Sequence, residues 1–151
     1  MEKDSLQVLK MSKTILLVDW PNPALPRILV ESGFDVYCYS PDQYSRAEIM
    51  PYAPLNIDAK NIFKPGKEED GCLVFVRLAG RPPSVDIVYV YRPEEELPRI
   101  ITEHALPLEA KSIWIDPLST SAITHKIVAA AGLNFINNAF ILETLKKLIS
   151  S

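Results

Sequence analysis

Short, unbroken apolar runs recur along this chain: TILLVD at 14–19, FDVYCY at 34–39, LVFVRL at 73–78, VDIVYVY at 85–91 and SIWID at 112–116. They do not follow the apolar–polar alternation of a strand with one wet face. Runs of this kind suit strands buried on both faces, as in a parallel sheet. The segments between several of them carry helical spacing. Ala24 to Ser32 places Ile28 and Leu29 on one face, and Gly33 marks its end. Arg92-Pro93 opens a second helix, with Glu94, Glu95 and Glu96 near the positive end of its dipole and an apolar stripe of Leu97, Ile100, Ile101 and Ala105. Ser119 or Thr120 caps a third, with Ile123, Ile127, Val128 and Ala131 inward and Gly132 at its end. A short strand, Asn134 to Ile136, and a helix from Phe140 to Ile149 complete the pattern.

Strands alternating with helices predict an α/β fold. The expected form is an open parallel sheet of about five strands with helices on both faces. Right-handed crossovers give the order 3-2-1-4-5. Ligands of such sheets bind beyond the carboxyl ends of the strands, at the switch point between strands 1 and 4. Four tips therefore form the candidate site: Asp19 to Pro23, Ser40 to Asp42, Tyr91 to Pro93, and Asp116 to Leu118. Residues 42–84 are the least regular part. One helical turn is expected around Ser45 to Met50, and prolines 51, 54 and 65 mark loops.

The 151 residues suffice for one domain, read as 14–151 after an N-terminal tail, 1–13, with one loosely helical turn. Sixteen basic against nineteen acidic residues leave no electrostatic footprint for nucleic acid. No apolar run reaches membrane-spanning length, and no signal-peptide pattern opens the chain, so a cytoplasmic protein is expected. Cys38 and Cys72 fit no metal spacing and read as buried reduced thiols. No metal site is expected.

The tips also carry a resemblance. VDWPNP, GFDVYCYSP, VDIVYVYRPEEELPRII, AKSIWI and AAGLNFINN resemble, in order, segments of the small stand-alone CoA-binding proteins. These share a Rossmann-like domain with the CoA-binding part of succinyl-CoA synthetase. The resemblance covers residues 13–148 and implies binding of CoA or an acyl-CoA. Asp19, Trp20, Pro21 and Asn22 would form the phosphate loop. Ser40 and Pro41 would lie near the nucleoside. Tyr91 and Arg92 would flank the ligand, and Asp116, Pro117 and Leu118 would lie near the pantetheine arm. Where the family has a glycine and then a small or hydroxyl residue after strand 1, this chain has Asp19 and Trp20. An aspartate adds negative charge there, and Pro21, Pro23 and Pro26 remove donors. Asn22 and the amides of Ala24 and Leu25 are the polar groups left to the loop.

The individual residues keep two readings each. Arg92 suits a phosphate, or a surface pair with Glu95 or Glu96. Trp20 suits an adenine, or packing over the end of the sheet. Asp42 suits a ribose, or a solvated turn. His104 is read as a partly exposed residue near a helix end, and His125 as facing solvent or the sheet edge. No catalytic constellation is visible, so non-catalytic CoA binding is expected rather than an enzyme. The alternatives are a degenerate Rossmann-like domain that has lost the nucleotide and serves interaction or homodimerisation, and binding of NAD or another adenine nucleotide.

Overall fold

Parallel pairing organises the centre of the fold. A computed structural model describes residues 4–39, 43–51, 62–63, 71–117 and 120–150. Its strands are β1 (Thr14–Val18), β2 (Asp35–Tyr39), β3 (Tyr44–Met50), β4 (Ile62–Phe63), β5 (Cys72–Arg77), β6 (Ile87–Val90), β7 (Ser112–Trp114) and β8 (Asn134–Ile136). The helices are α1 (Ser5–Met11), α2 (Ala24–Glu31), α3 (Leu97–Ile100), α4 (Ala122–Ala130) and α5 (Ile141–Ser150). A 3₁₀ turn, Glu94–Glu96, leads into α3, and a π-helical turn, Ile101–Ala105, extends it.

The fold is α/β and Rossmann-like, with a mostly parallel centre. Among the described residues the sheet has eight strands, in the order β4-β5-β3-β2-β1-β6-β7-β8. β2, β1, β6, β7 and β8 run parallel. Within β1, Ile15 and Leu17 face one cluster, with Leu9, Leu29 and Leu145. Leu16 and Val18 face the other, with Leu97, Ile101 and Val128. Burial on both faces is the physical reason for the unbroken apolar runs.

The aspartate that starts the sixth strand locks the register at the end of the sheet away from the switch point. Asp86 Oδ2 accepts the N–H of Lys13 at 2.8 Å and of Thr14 at 3.1 Å, and the Thr14 hydroxyl at 3.2 Å. Burial alone would raise this carboxyl. The hydrogen bonds from Lys13 and Thr14 outweigh it and hold the group below its ordinary value.

Four expectations are corrected. The helical turn at Ser45–Met50 is strand β3, because pairing with β2 on one side and β5 on the other outweighs local preference. The strand at 73–78 therefore lies beside β3 and β4 rather than β2, and β3 and β4 run antiparallel to their neighbours. The segment expected as a tail with one loose turn forms α1, with Val8 and Leu9 buried. A helix this short is marginal alone; packing of Leu9 into the core holds it. Finally, Ile123 is 67% exposed, and Thr124 takes the inward position instead. No helix of the described residues is long and apolar enough to cross a membrane.

Candidate functional site

The loop after β1 keeps a glycine's backbone without a glycine. Asp19 has φ +66°, in the left-handed region. Its Oδ1 accepts the N–H of Trp20 at 2.9 Å, a local bond that helps an aspartate tolerate that conformation. Oδ2 accepts Arg92 Nη1 at 3.2 Å. A carboxylate thus stands beside the arginine expected to meet a phosphate. The amides expected to be open are used within the loop. Asn22 Oδ1 accepts the N–H of Ala24 at 2.9 Å, and the Asn22 carbonyl accepts that of Leu25 at 3.3 Å. Trp20 stacks on Phe75, with centroids 5.2 Å apart and planes at 28°, so it packs over the end of the sheet.

Arg92 lies between two carboxylates. Nε and Nη2 donate to Glu96 Oε2 at 3.0 and 2.8 Å, in addition to the bond to Asp19. Its hydrogen bonds, first to Glu96 and then to Asp19, raise its pKa further. With Val18, Asp19, Tyr39, Arg99 and His104, it lines a cleft of about 220 Å³ at the carboxyl ends of β1 and β2.

The inner wall of this cleft is aromatic. The Tyr39 ring lies 4.2 Å from His104 and 5.0 Å from Tyr44. The Tyr44 hydroxyl is hydrogen-bonded to His104 Nδ1. Burial pushes Tyr44 up to about 12, and burial lowers His104. Both groups are therefore neutral at pH 7. His104 is buried, contrary to the partly exposed placement expected for it. Its position continues the apolar stripe of Leu97, Ile100 and Ile101, a signal the sequence did carry. His125 is exposed, with its ring edge against Phe135 at 4.7 Å.

A base whose folded pKa is lowered contributes a loss of stability as pH falls through its unfolded value, near 6.5. The wild-type melting temperature is expected to fall between pH 7.5 and 5.5, and that of His104→Gln to fall less. Parallel pH profiles of the two proteins in melting experiments check this. Asp86 and Glu94, both held below the ordinary carboxyl value, act in a separate, lower window. They contribute stability that is lost as pH drops through the carboxylate range.

A second cleft, about 310 Å³, opens on the other side of the strand ends. Pro21, Leu25, Tyr89, Tyr91, Phe140 and Leu142 line it, with Asp116 at its floor. Asp116 Oδ2 accepts the buried Tyr89 hydroxyl at 2.7 Å, and Oδ1 accepts the N–H of Ile141, at the start of α5, at 2.8 Å. Asn137 Nδ2 donates to the Ile115 carbonyl at 3.0 Å and holds the adjoining loop. Nearby, Glu94 Oε1 accepts the Ser121 N–H at 2.5 Å and the Thr124 hydroxyl, tying the start of the α3 region to α4.

The expected residues thus divide. Asp19 and Arg92 meet in the first cleft. Pro21, Tyr91 and Asp116 meet in the second. Trp20 and Asn22 are engaged by the loop and by Phe75. Pro93 precedes the 3₁₀ turn and accepts the Glu96 N–H at 3.0 Å, and Pro117 follows Asp116 in the loop. Ser40, Pro41, Asp42 and Leu118 lie outside the described residues. Tyr39, Tyr44, His104, Arg99 and Phe140 were not among the residues expected to form the site. Among the described residues no group of three or more His, Cys, Asp or Glu is placed to hold a metal ion.

The family described as CoA binding domain matches residues 40–145. A search of curated proteins finds no match. Several solved structures share the fold. The Thermus thermophilus protein cell-free ID.343 is 20% identical, with 94% of each chain covered and a TM-score of 0.56. Prb, described as PH1109 protein redesigned for binding, is 18% identical, with 100% of this chain and 96% of that one covered and a TM-score of 0.59. A hypothetical protein from Pyrococcus horikoshii OT3 is 17% identical, with 95% and 88% covered and a TM-score of 0.57. At these identities the likeness is one of fold.

Proposed function

The chain belongs to the CoA binding domain family, and we propose that it binds CoA or an acyl-CoA, without catalysis, across the carboxyl ends of β1 and β6. One observation carries this reading. The consecutive residues Tyr91 and Arg92, just past β6, line two different clefts. One cleft is charged and suits phosphates; the other is apolar and suits the far end of the ligand. A ligand with a polyanionic head and an apolar tail matches that pair. Both thiols are buried, and burial pushes Cys38 well above its ordinary value, which argues against a nucleophilic role.

Calorimetry of the full chain with CoA tests the reading, and Asp19→Gly sharpens it. Glycine accepts φ +66° without strain and removes the carboxylate that engages Arg92. CoA affinity is expected to rise about tenfold, the scale of one lost charge–charge competition. The free variant should melt no lower than wild type, because relief of left-handed strain offsets the lost Trp20 bond. An affinity unchanged or weakened would show that this loop does not face phosphate.

A specific observation also favours the second reading, a domain that kept the fold and lost the nucleotide. Arg92 is committed to Asp19 and Glu96, and the Ala24 and Leu25 amides are committed to Asn22. Absence of CoA binding in both wild type and Asp19→Gly would support it.

A further inference from the structure

The apolar cleft carries more information than CoA binding requires. Tyr91 and Phe140 line it while 47% and 45% exposed, so large apolar surface stands open to water there. Its volume, about 310 Å³, is at the small end for ligand pockets, which suits a short chain. Among the described residues that line it there is no Lys, Arg or His. Its one charge is the Asp116 carboxylate, whose two oxygens are fixed by the Tyr89 hydroxyl and the Ile141 N–H. A second carboxylate entering this cleft would find no cation and would meet a like charge.

Resting on the CoA reading above, we propose that this cleft is an acyl pocket for a short, uncharged aliphatic thioester. The protein then binds a neutral acyl-CoA in preference to free CoA and to CoA esters that end in a carboxylate. Phe140 and Leu142 are its specificity-determining residues. The acyl chain covers their exposed faces, and Asp116 rejects the acidic ester. Each buried methylene strengthens binding about fourfold.

Calorimetry with CoA, hexanoyl-CoA and succinyl-CoA at one ionic strength tests this. Hexanoyl-CoA is expected to bind at least about tenfold tighter than CoA, the yield of roughly two buried methylenes. Succinyl-CoA is expected to bind no tighter than CoA. Phe140→Asp should bring the hexanoyl-CoA to CoA ratio close to one. Leu142→Gln serves the same purpose if Phe140→Asp fails to fold. Equal binding of CoA and hexanoyl-CoA, or a ratio unmoved by the folded variant, overturns the acyl pocket and leaves the CoA reading standing. If no CoA ester binds, S-hexanoyl-N-acetylcysteamine, which has no nucleotide, separates the two ideas. Shifts of the Tyr91 and Phe140 resonances would uphold the pocket while the CoA reading falls. No shift would overturn both.

Discussion

Replacing Arg92 with alanine is expected to weaken CoA binding by ten- to over a hundredfold, the range of a charge-assisted hydrogen bond. The guanidinium sits at the tip of β6 with Asp19 and Glu96 within 3.2 Å, so its fork already points into the charged cleft. An arriving phosphate displaces one of these carboxylates, and part of its gain is spent there. The loss on Arg92→Ala should therefore be larger in an Asp19→Gly background, where one competitor is gone. A double-mutant cycle by calorimetry reads that coupling directly. Dephospho-CoA adds a second axis. If Arg92 holds the 3′-phosphate, the effect of the substitution shrinks with dephospho-CoA; if it holds the diphosphate, the effect persists. The free variant should melt close to wild type, because Arg92 and Asp19 are more than a third exposed, Glu96 is 31% exposed, and such surface pairs contribute little. Equal affinities of wild type and Arg92→Ala for both ligands would take Arg92 out of the site and favour the degenerate-domain reading.

Asp116→Ala is expected to produce the largest loss of stability. The substitution orphans the Tyr89 hydroxyl, whose residue is 1% exposed, at about 1–3 kcal/mol. It also removes the acceptor for the first N–H of α5, a cap worth about 0.5–2 kcal/mol. Together they amount to about 1.5–5 kcal/mol, or a fall in melting temperature of roughly 3–20 °C for a chain of this size. Asp116→Asn keeps one acceptor oxygen where two were used, so it should lie between wild type and alanine. Thermal melts of the three proteins at pH 7 check the order. Coincident melts of wild type and Asp116→Ala would show that these two bonds contribute nothing net.

Much of the candidate site was legible because the switch point follows from strand order. Asp19, Pro21, Tyr91, Arg92 and Asp116 all reach a cleft at the strand tips. What escaped was the wall of each cleft. His104 was set aside as a helix-end residue, although its place on the stripe with Ile100 and Ile101 pointed inward. Tyr44 could not be placed at all, because the segment around it was expected as a helical turn rather than β3. Phe140 was taken only as the start of the last helix, and nothing local says that a helix start 49 residues beyond Tyr91 shares a cleft with it.

The sequence by itself determined the parallel α/β centre and the helices that follow its strands. The physical reason is local. A strand buried on both faces needs consecutive apolar residues, a helix needs a stripe, and each pattern is written within about ten positions. Only the tertiary structure decided which charges and rings meet. Asp19 and Arg92 are 73 residues apart, and Tyr44 and His104 are 60 apart. Their partners are chosen by where the sheet brings the tips together, after local patterns have been satisfied. The insertion of β3 between β2 and β5 has the same origin. Its stability comes from hydrogen bonds to two neighbouring strands rather than from a preference of its own residues.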